Sequence, residues 1–218
     1  MINTIQKQLP FIKGFITAVA FSLLLLCTRI IKTDTSFYLF LVWNLFLACI
    51  PYAIVLILSL RKTNHFIFWI GFITWLVFLP NSPYILTDLQ HIKLSTLQSV
   101  WFDVLLILSF AINGMIIGFA SLRMMQTLLL ERFSAKMTNI IIYIVLLLCG
   151  FGIYLGRILR WNSWDIIQNP IGILSDIAKR ILFPSQHLNT WGFTIGFGIF
   201  LIITYRMIQY YHIKKNEN

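Results

Sequence analysis

Six long apolar runs, separated by short clusters of charge, decide what this chain can fold into. They are Phe15 to Ile31, Phe37 to Leu60, a third from Phe66, Val100 to Leu122, Ile140 to Leu159 and Leu188 to Ile208. About 20 apolar residues in a helix match the hydrocarbon thickness of a bilayer. Only 11% of the residues are charged, against about 25% in a soluble domain. So much apolar surface cannot be hidden in the chain's own core, and lipid must solvate much of it. The sequence therefore predicts an all-α membrane protein. Residues 1–218 form a single integral membrane domain of six transmembrane helices, at about 15–31, 37–60, 66–89, 100–122, 140–159 and 188–208.

The net charge is +10, and most basic residues stand at the ends of apolar runs. The positive-inside rule accounts for that placement, so nucleic acid is excluded as a partner and membrane lipid is expected. Six spans put both termini on one side. That side carries Lys7, Lys13, Arg61, Lys62, Arg123, Arg132, Lys136, Arg206, Lys214 and Lys215; the other carries Arg29, Lys32, Lys93, Arg157, Arg160, Lys179 and Arg180. The excess puts both termini in the cytoplasm. The first run is too long for a signal peptide and no small-residue cleavage site follows it, so it reads as an uncleaved span. Pro51 is expected to kink the second span, and Arg61 and Lys62 to stop it. Cys27, Cys49 and Cys149 all lie inside apolar runs with no metal-like spacing, and read as buried structural thiols.

The third run is the most informative. It meets Pro80 after only 14 residues, Phe66 to Leu79, or roughly 20 Å of helix against a core of about 30 Å. The span must therefore include Pro80-Asn81-Ser82-Pro83-Tyr84 and the residues beyond. Pro83 suits the first position of a new helical segment, capped by Ser82 or Asn81. In an α-helix, Tyr84, Thr87, Asp88 and His91 fall at i, i+3, i+4 and i+7 on one face; Ile85, Leu86, Leu89 and Ile92 take the other. Ionisable groups at membrane depth are costly and usually functional. An ordinary helix break with Asp88 and His91 reaching interfacial water is the plainer reading.

Two further motifs are expected on the same side. Gly156-Arg157-Ile158-Leu159-Arg160-Trp161-Asn162-Ser163-Trp164-Asp165 ends the fifth span. Arg157 and Arg160, one helical turn apart, could clamp a carboxylate or phosphate, with Trp164 in the headgroup belt. Equally, Asn162 and Asp165 could form a capping box and the arginines neutralise carboxylates. Trp101-Phe102-Asp103 opens the fourth span; Asp103 is either a third carboxylate of the site or a favourable charge at a helix start. Asp88 and His91 suit general acid/base catalysis or, as i, i+3 oxygen and nitrogen ligands, a divalent metal. After the fifth span, Asn169-Pro170 opens a short amphipathic helix, about 170–182, with Ile171, Leu174, Ile177, Ala178, Ile181 and Leu182 opposite Ser175, Asp176, Lys179 and Arg180. It reads as an interfacial anchor rather than a lid. The pairs Gly114/Gly118, Gly152/Gly156 and Gly192/Gly196 predict tight packing of spans four to six.

At Pro80-Asn81-Ser82-Pro83-Tyr84 with Thr87-Asp88-Leu89 and His91, at Trp101-Phe102-Asp103, and at Gly156-Arg157 with Arg160 and Asn162-Ser163-Trp164-Asp165, the chain resembles the uncharacterised bacterial multi-pass membrane proteins of domain of unknown function 1361. The likeness runs from about the second span to the amphipathic segment. It implies a bacterial plasma-membrane protein and adds no substrate, cofactor or catalytic residue.

These readings converge on a membrane protein with a polar, charged pocket on the extracytoplasmic side. It would bind an anionic lipid headgroup or small solute through Asn81, Tyr84, Thr87, Arg157, Arg160, Asn162, Trp164 and Asp165, with Asp88, His91 and Asp103 as candidate catalytic groups. One alternative is an enzyme acting on lipid or cell-envelope substrates; another is an accessory or scaffold protein whose charged face is structural. A transporter is poorly supported, because the inner halves of spans three to five offer little beyond Asn113 and Ser121. The sequence leaves the oligomeric state open.

Overall fold

The computed structural model describes residues 2–60, 64–94 and 100–217. Arg61 and Lys62, expected to stop the second span, lie outside them, as do the side chains of Lys7, Lys214 and Lys215. All regular structure among the described residues is helical. In order it is α1 (Ile2–Thr33), a 3-10 turn (Phe37–Leu39), α2 (Phe40–Leu60), α3 (His65–Phe78), α4 (Asn81–Tyr84), a 3-10 segment (Ile85–Leu94), α5 (Val100–Leu130), α6 (Ala135–Arg157), α7 (Asp165–Gln168), α8 (Pro170–Leu182), a 3-10 turn (Pro184–His187) and α9 (Leu188–Glu217). Six stretches are long and apolar enough to cross a membrane: Gln8–Thr33, Phe37–Leu60, His65–Lys93, Val100–Leu130, Ala135–Arg157 and Pro184–Tyr210. Each overlaps one predicted span. The chain divides into two compact units, Met1–Leu128 and Leu129–Asn218.

In the first unit α2 packs against α1, α3, α4 and the 3-10 segment. Its Leu41, Leu45, Ala48, Tyr52 and Val55 are buried at helical spacing. Lipid is as apolar as these side chains, so close packing and interhelical hydrogen bonds must hold the helices together. Asn113 Nδ2 donates to Ser22 Oγ at 2.9 Å, joining α5 to α1. Trp75 Nε1 donates to Ser121 Oγ at 2.7 Å, joining α3 to α5. Tyr52 OH donates to Gln8 Oε1 at 3.0 Å, joining α2 to α1.

The third span breaks where the prolines predict, but without the expected cap. Pro80 is already helical, at φ −57° and ψ −26°, and no side chain caps α4. Because the backbone runs through the break in helical torsions, Asn81 and Ser82 are free to donate elsewhere. Asn81 Nδ2 donates to the Phe78 carbonyl at 3.0 Å, and Ser82 Oγ to the Ala48 carbonyl on α2 at 2.9 Å. On the far side α5 presents Gly114 and Gly118. A Cβ on Gly114 would lie 2.5 Å from the Ser82 carbonyl oxygen, and one on Gly118 2.6 Å from the Ser82 Cβ. This glycine pair thus seats the break of the third span.

Beyond Tyr84 the chain runs as a 3-10 helix of 10 residues, not as the α-helix its pattern predicts. Three residues per turn stack Ile85, Asp88 and His91 on one edge. Ile85 and Asp88 are buried together, so the predicted division into a face with Tyr84 and Thr87 and a face with Ile85 does not form.

In the second unit α6 packs along α9. The close approach is at Gly150 and Gly198. A Cβ on Gly150 would lie 2.6 Å from the Thr194 carbonyl oxygen, and one on Gly198 2.6 Å from Leu147 Cδ2. Gly192 and Gly196, predicted to make such contacts, face open space. Asn169 caps α8 as expected, its Oδ1 accepting from the Gly172 amide at 3.1 Å. All three cysteines are free thiols; Cys149 is buried, but Cys27 is exposed, because α1 turns that face outward.

Gly114→Ala and Gly118→Ala should each lower unfolding stability in detergent by about 1–3 kcal/mol, the usual cost of overpacking. Gly192→Ala and Gly196→Ala should stay within about 0.5 kcal/mol.

Candidate functional site

Two carboxylates are buried in the first unit, Asp88 at 1% and Asp103 at 0% relative exposure. A bare charge at such a position costs several kcal/mol, so each must be paired. Asp103, in the first turn of α5, meets Arg29 near the end of α1. The guanidinium grips it as a fork, Nε on Oδ1 and Nη2 on Oδ2 at 3.1 Å. Tyr38 OH donates to Oδ2 at 3.3 Å, and the Arg29 Cζ lies 5.7 Å from the centre of the Tyr38 ring. Arg29 Nη1 is buried with no hydrogen-bond partner among the described residues.

Asp88 belongs to the 3-10 segment. Asn44 Nδ2, from the second turn of α2, donates to its Oδ2 at 2.9 Å. His91 Nε2 stands 3.9 Å from its Oδ1, with the imidazole side chain 27% exposed. That is too long for a hydrogen bond. Two rings meet the imidazole edge-on: Phe37, with centroids 5.8 Å apart, and Phe40 at 5.1 Å. Tyr38 packs on Phe37 at 5.1 Å. The turn Phe37–Leu39 therefore supports His91 on one side and Asp103 on the other.

Two of the remaining candidates of this unit bond backbone carbonyls. Thr87 Oγ1 donates to the Tyr84 carbonyl at 2.6 Å; Asn81 does the same toward Phe78, and Tyr84 is half-buried. Asp88 and His91 offer two potential metal donors, and no group of three or more His, Cys, Asp or Glu residues occurs among the described residues.

In the second unit α6 ends at Arg157 and Arg160 takes φ 61°, so the helical turn expected to align the two arginines is absent. The Trp161 amide, donating to the Leu155 carbonyl at 3.0 Å, closes the helix end instead. Asp165 Oδ2 accepts from the Asn162 amide at 2.6 Å, the returning half of a capping box; Trp164 is half-buried just before it. α8 turns Ile173 and Arg180 inward and exposes Ile171, Leu174, Ile181 and Leu182. Arg180, expected on the polar outer face, instead donates to the Asp176 carbonyl at 2.7 Å, while Trp161 Nε1 donates to Asp176 Oδ2 at 2.8 Å. Arg180 is thus buried, while its partner Asp176 keeps a side chain 31% exposed and is held by Trp161.

A sequence profile described as protein of unknown function (DUF1361) matches residues 43–204. The chain belongs to that family. No curated protein and no solved structure matches it. The DUF1361 match takes in Asn44, Asp88, His91 and Asp103, and runs past the amphipathic helix into the last span; Arg29 and Tyr38 precede it. Arg29, Tyr38 and Asn44 were not among the predicted site residues. Their signal was a polar side chain set inside an apolar run, at Arg29 before Ile30-Ile31 and at Asn44 between Trp43 and Leu45.

Removing one partner of the Arg29–Asp103 pair should destabilise the protein strongly. Asp103→Leu or Arg29→Met alone should cost about 3–5 kcal/mol, and the double variant should recover most of it. Unfolding titrations in detergent supply the cycle.

Proposed function

We propose that Asn44, Asp88 and His91 form a polar site on the extracytoplasmic side of the membrane that binds a lipid headgroup or a small polar solute, with both termini in the cytoplasm. The observation that carries this reading is the graded burial of the pair: Asp88 is sealed and anchored by Asn44, while the neighbouring imidazole is 27% exposed. A reachable imidazole backed by a fixed carboxylate can accept a proton or hydrogen bond from a hydroxyl or amine. The phosphate-clamp version of this reading rests on Arg157 and Arg160 and is weaker, because no helical turn aligns them.

An enzyme acting on lipid or cell-envelope substrates is the second reading. Closing the 3.9 Å gap between Asp88 and His91 would give an imidazole base oriented by a carboxylate. The scaffold reading draws on the Arg29–Asp103–Tyr38 cluster, whose groups bond one another apart from the buried Arg29 Nη1. The transporter reading stays weak: Asn113 and Ser121, the polar groups expected in the inner halves of spans three to five, bond Ser22 and Trp75.

Native mass spectrometry and metal analysis of protein extracted with its lipids test the proposal. Wild type should retain a lipid or solute that His91→Gln and Asp88→Asn lose by at least about tenfold, the worth of one hydrogen bond to a charged group. Identical retention in folded wild type and both variants would leave the scaffold reading standing. A stoichiometric divalent metal lost in both variants would favour the enzyme.

A further inference from the structure

The sequence pattern and the backbone disagree over the same 10 residues, Ile85–Leu94. The polar residues repeat with α-helical spacing from Tyr84 to His91, yet the chain winds three residues to the turn. 3-10 runs beyond 3–4 residues are uncommon because their hydrogen bonds are poorly aligned, and such stretches often mark hinges. The two windings differ in reach and in rotation. Ten residues span about 20 Å as 3-10 and about 15 Å as α. Rewinding to α would turn Asp88 by about 60° and His91 by about 120° relative to Ile85.

What holds the unusual winding is a set of contacts at its own three-residue period. Ile85 is fully buried, 3.0 Å from where a Cβ on Gly114 would stand. Three residues on, Asp88 takes the Asn44 hydrogen bond. Three further, His91 sits against Phe37 and Phe40. The start of the segment is fixed by Ser82, held to Ala48 and between the two glycines, so any rewinding must move its far end.

We propose that Ile85–Leu94 is a two-register switch latched by the Asn44–Asp88 hydrogen bond. Latched, it is 3-10, with Asp88 sealed against α2. Released, it rewinds to α, draws its end back by about 5 Å, and brings Tyr84, Thr87, Asp88 and His91 onto one face. Opening and closing of the polar edge is then a change of winding, driven by whatever competes with Asn44 for the carboxylate. The switch does not depend on which ligand the site takes.

Solid-state NMR of the uniformly labelled full-length protein in phospholipid bilayers reads the winding directly, since ψ lies near −25° in 3-10 and −42° in α. Wild type should give 3-10 values over residues 86–93. Asn44→Leu should move them to α values while residues 65–84 keep theirs. Thr87→Ala/Gln90→Ala leaves the latch intact and raises α propensity; it should add a second, α set of signals to the first. If Asn44→Leu fails to fold, this double variant decides alone. A single 3-10 set in every variant that folds, or α values in wild type, overturns the switch.

Discussion

A helix that stops inside a bilayer must find partners for the backbone groups it leaves open, because lipid offers none. The third span stops at Phe78, and its continuation depends on how that stop is housed. Asn81 returns its amide to the Phe78 carbonyl. Ser82 reaches across to the Ala48 carbonyl, and α5 gives up two side chains, at Gly114 and Gly118, to let the break come close. Lipid gives packed helices no hydrophobic drive, so these small-residue and hydrogen-bonded contacts are what fix α2, α4 and α5 together. Ile85, Asp88 and His91 are aimed by that fixed point.

The charges obey the same constraint. Each buried carboxylate of the first unit finds a donor on a neighbouring helix, Asp103 on α1 and Asp88 on α2. In the second unit Asp176 and Arg180 settle against Trp161 and leave the apolar face of α8 exposed. What distinguishes Asp88 is that its imidazole neighbour is reachable and 3.9 Å away, not fully engaged.

The spans, the break and the α8 cap were legible because each rests on local rules: run length, proline at Pro80 and Pro83, and Asn169 before Pro170. The pairing of Arg29 with Asp103 was not, because it joins residues 74 apart and an arginine near a span's end looks the same whether it faces headgroups or a carboxylate. Asn44 was hidden for a similar reason, its role depending on which helix lies opposite. The winding after Pro83 is not legible in the sequence, because the polar pattern fits an α-helix while contacts at every third residue favour 3-10. The glycines divided likewise: Gly114 and Gly118 meet a partner, whereas Gly192 and Gly196 have the same spacing and none.

The proposed site requires the edge carrying Asp88 and His91 to be reached from outside the cell. Gln90 is exposed beside them, so one cysteine at Gln90, with Cys27, Cys49 and Cys149 replaced by alanine, tests it in intact cells. A membrane-impermeant thiol reagent should label this cysteine without lysis. Labelling only after lysis, or none in either state, would contradict it.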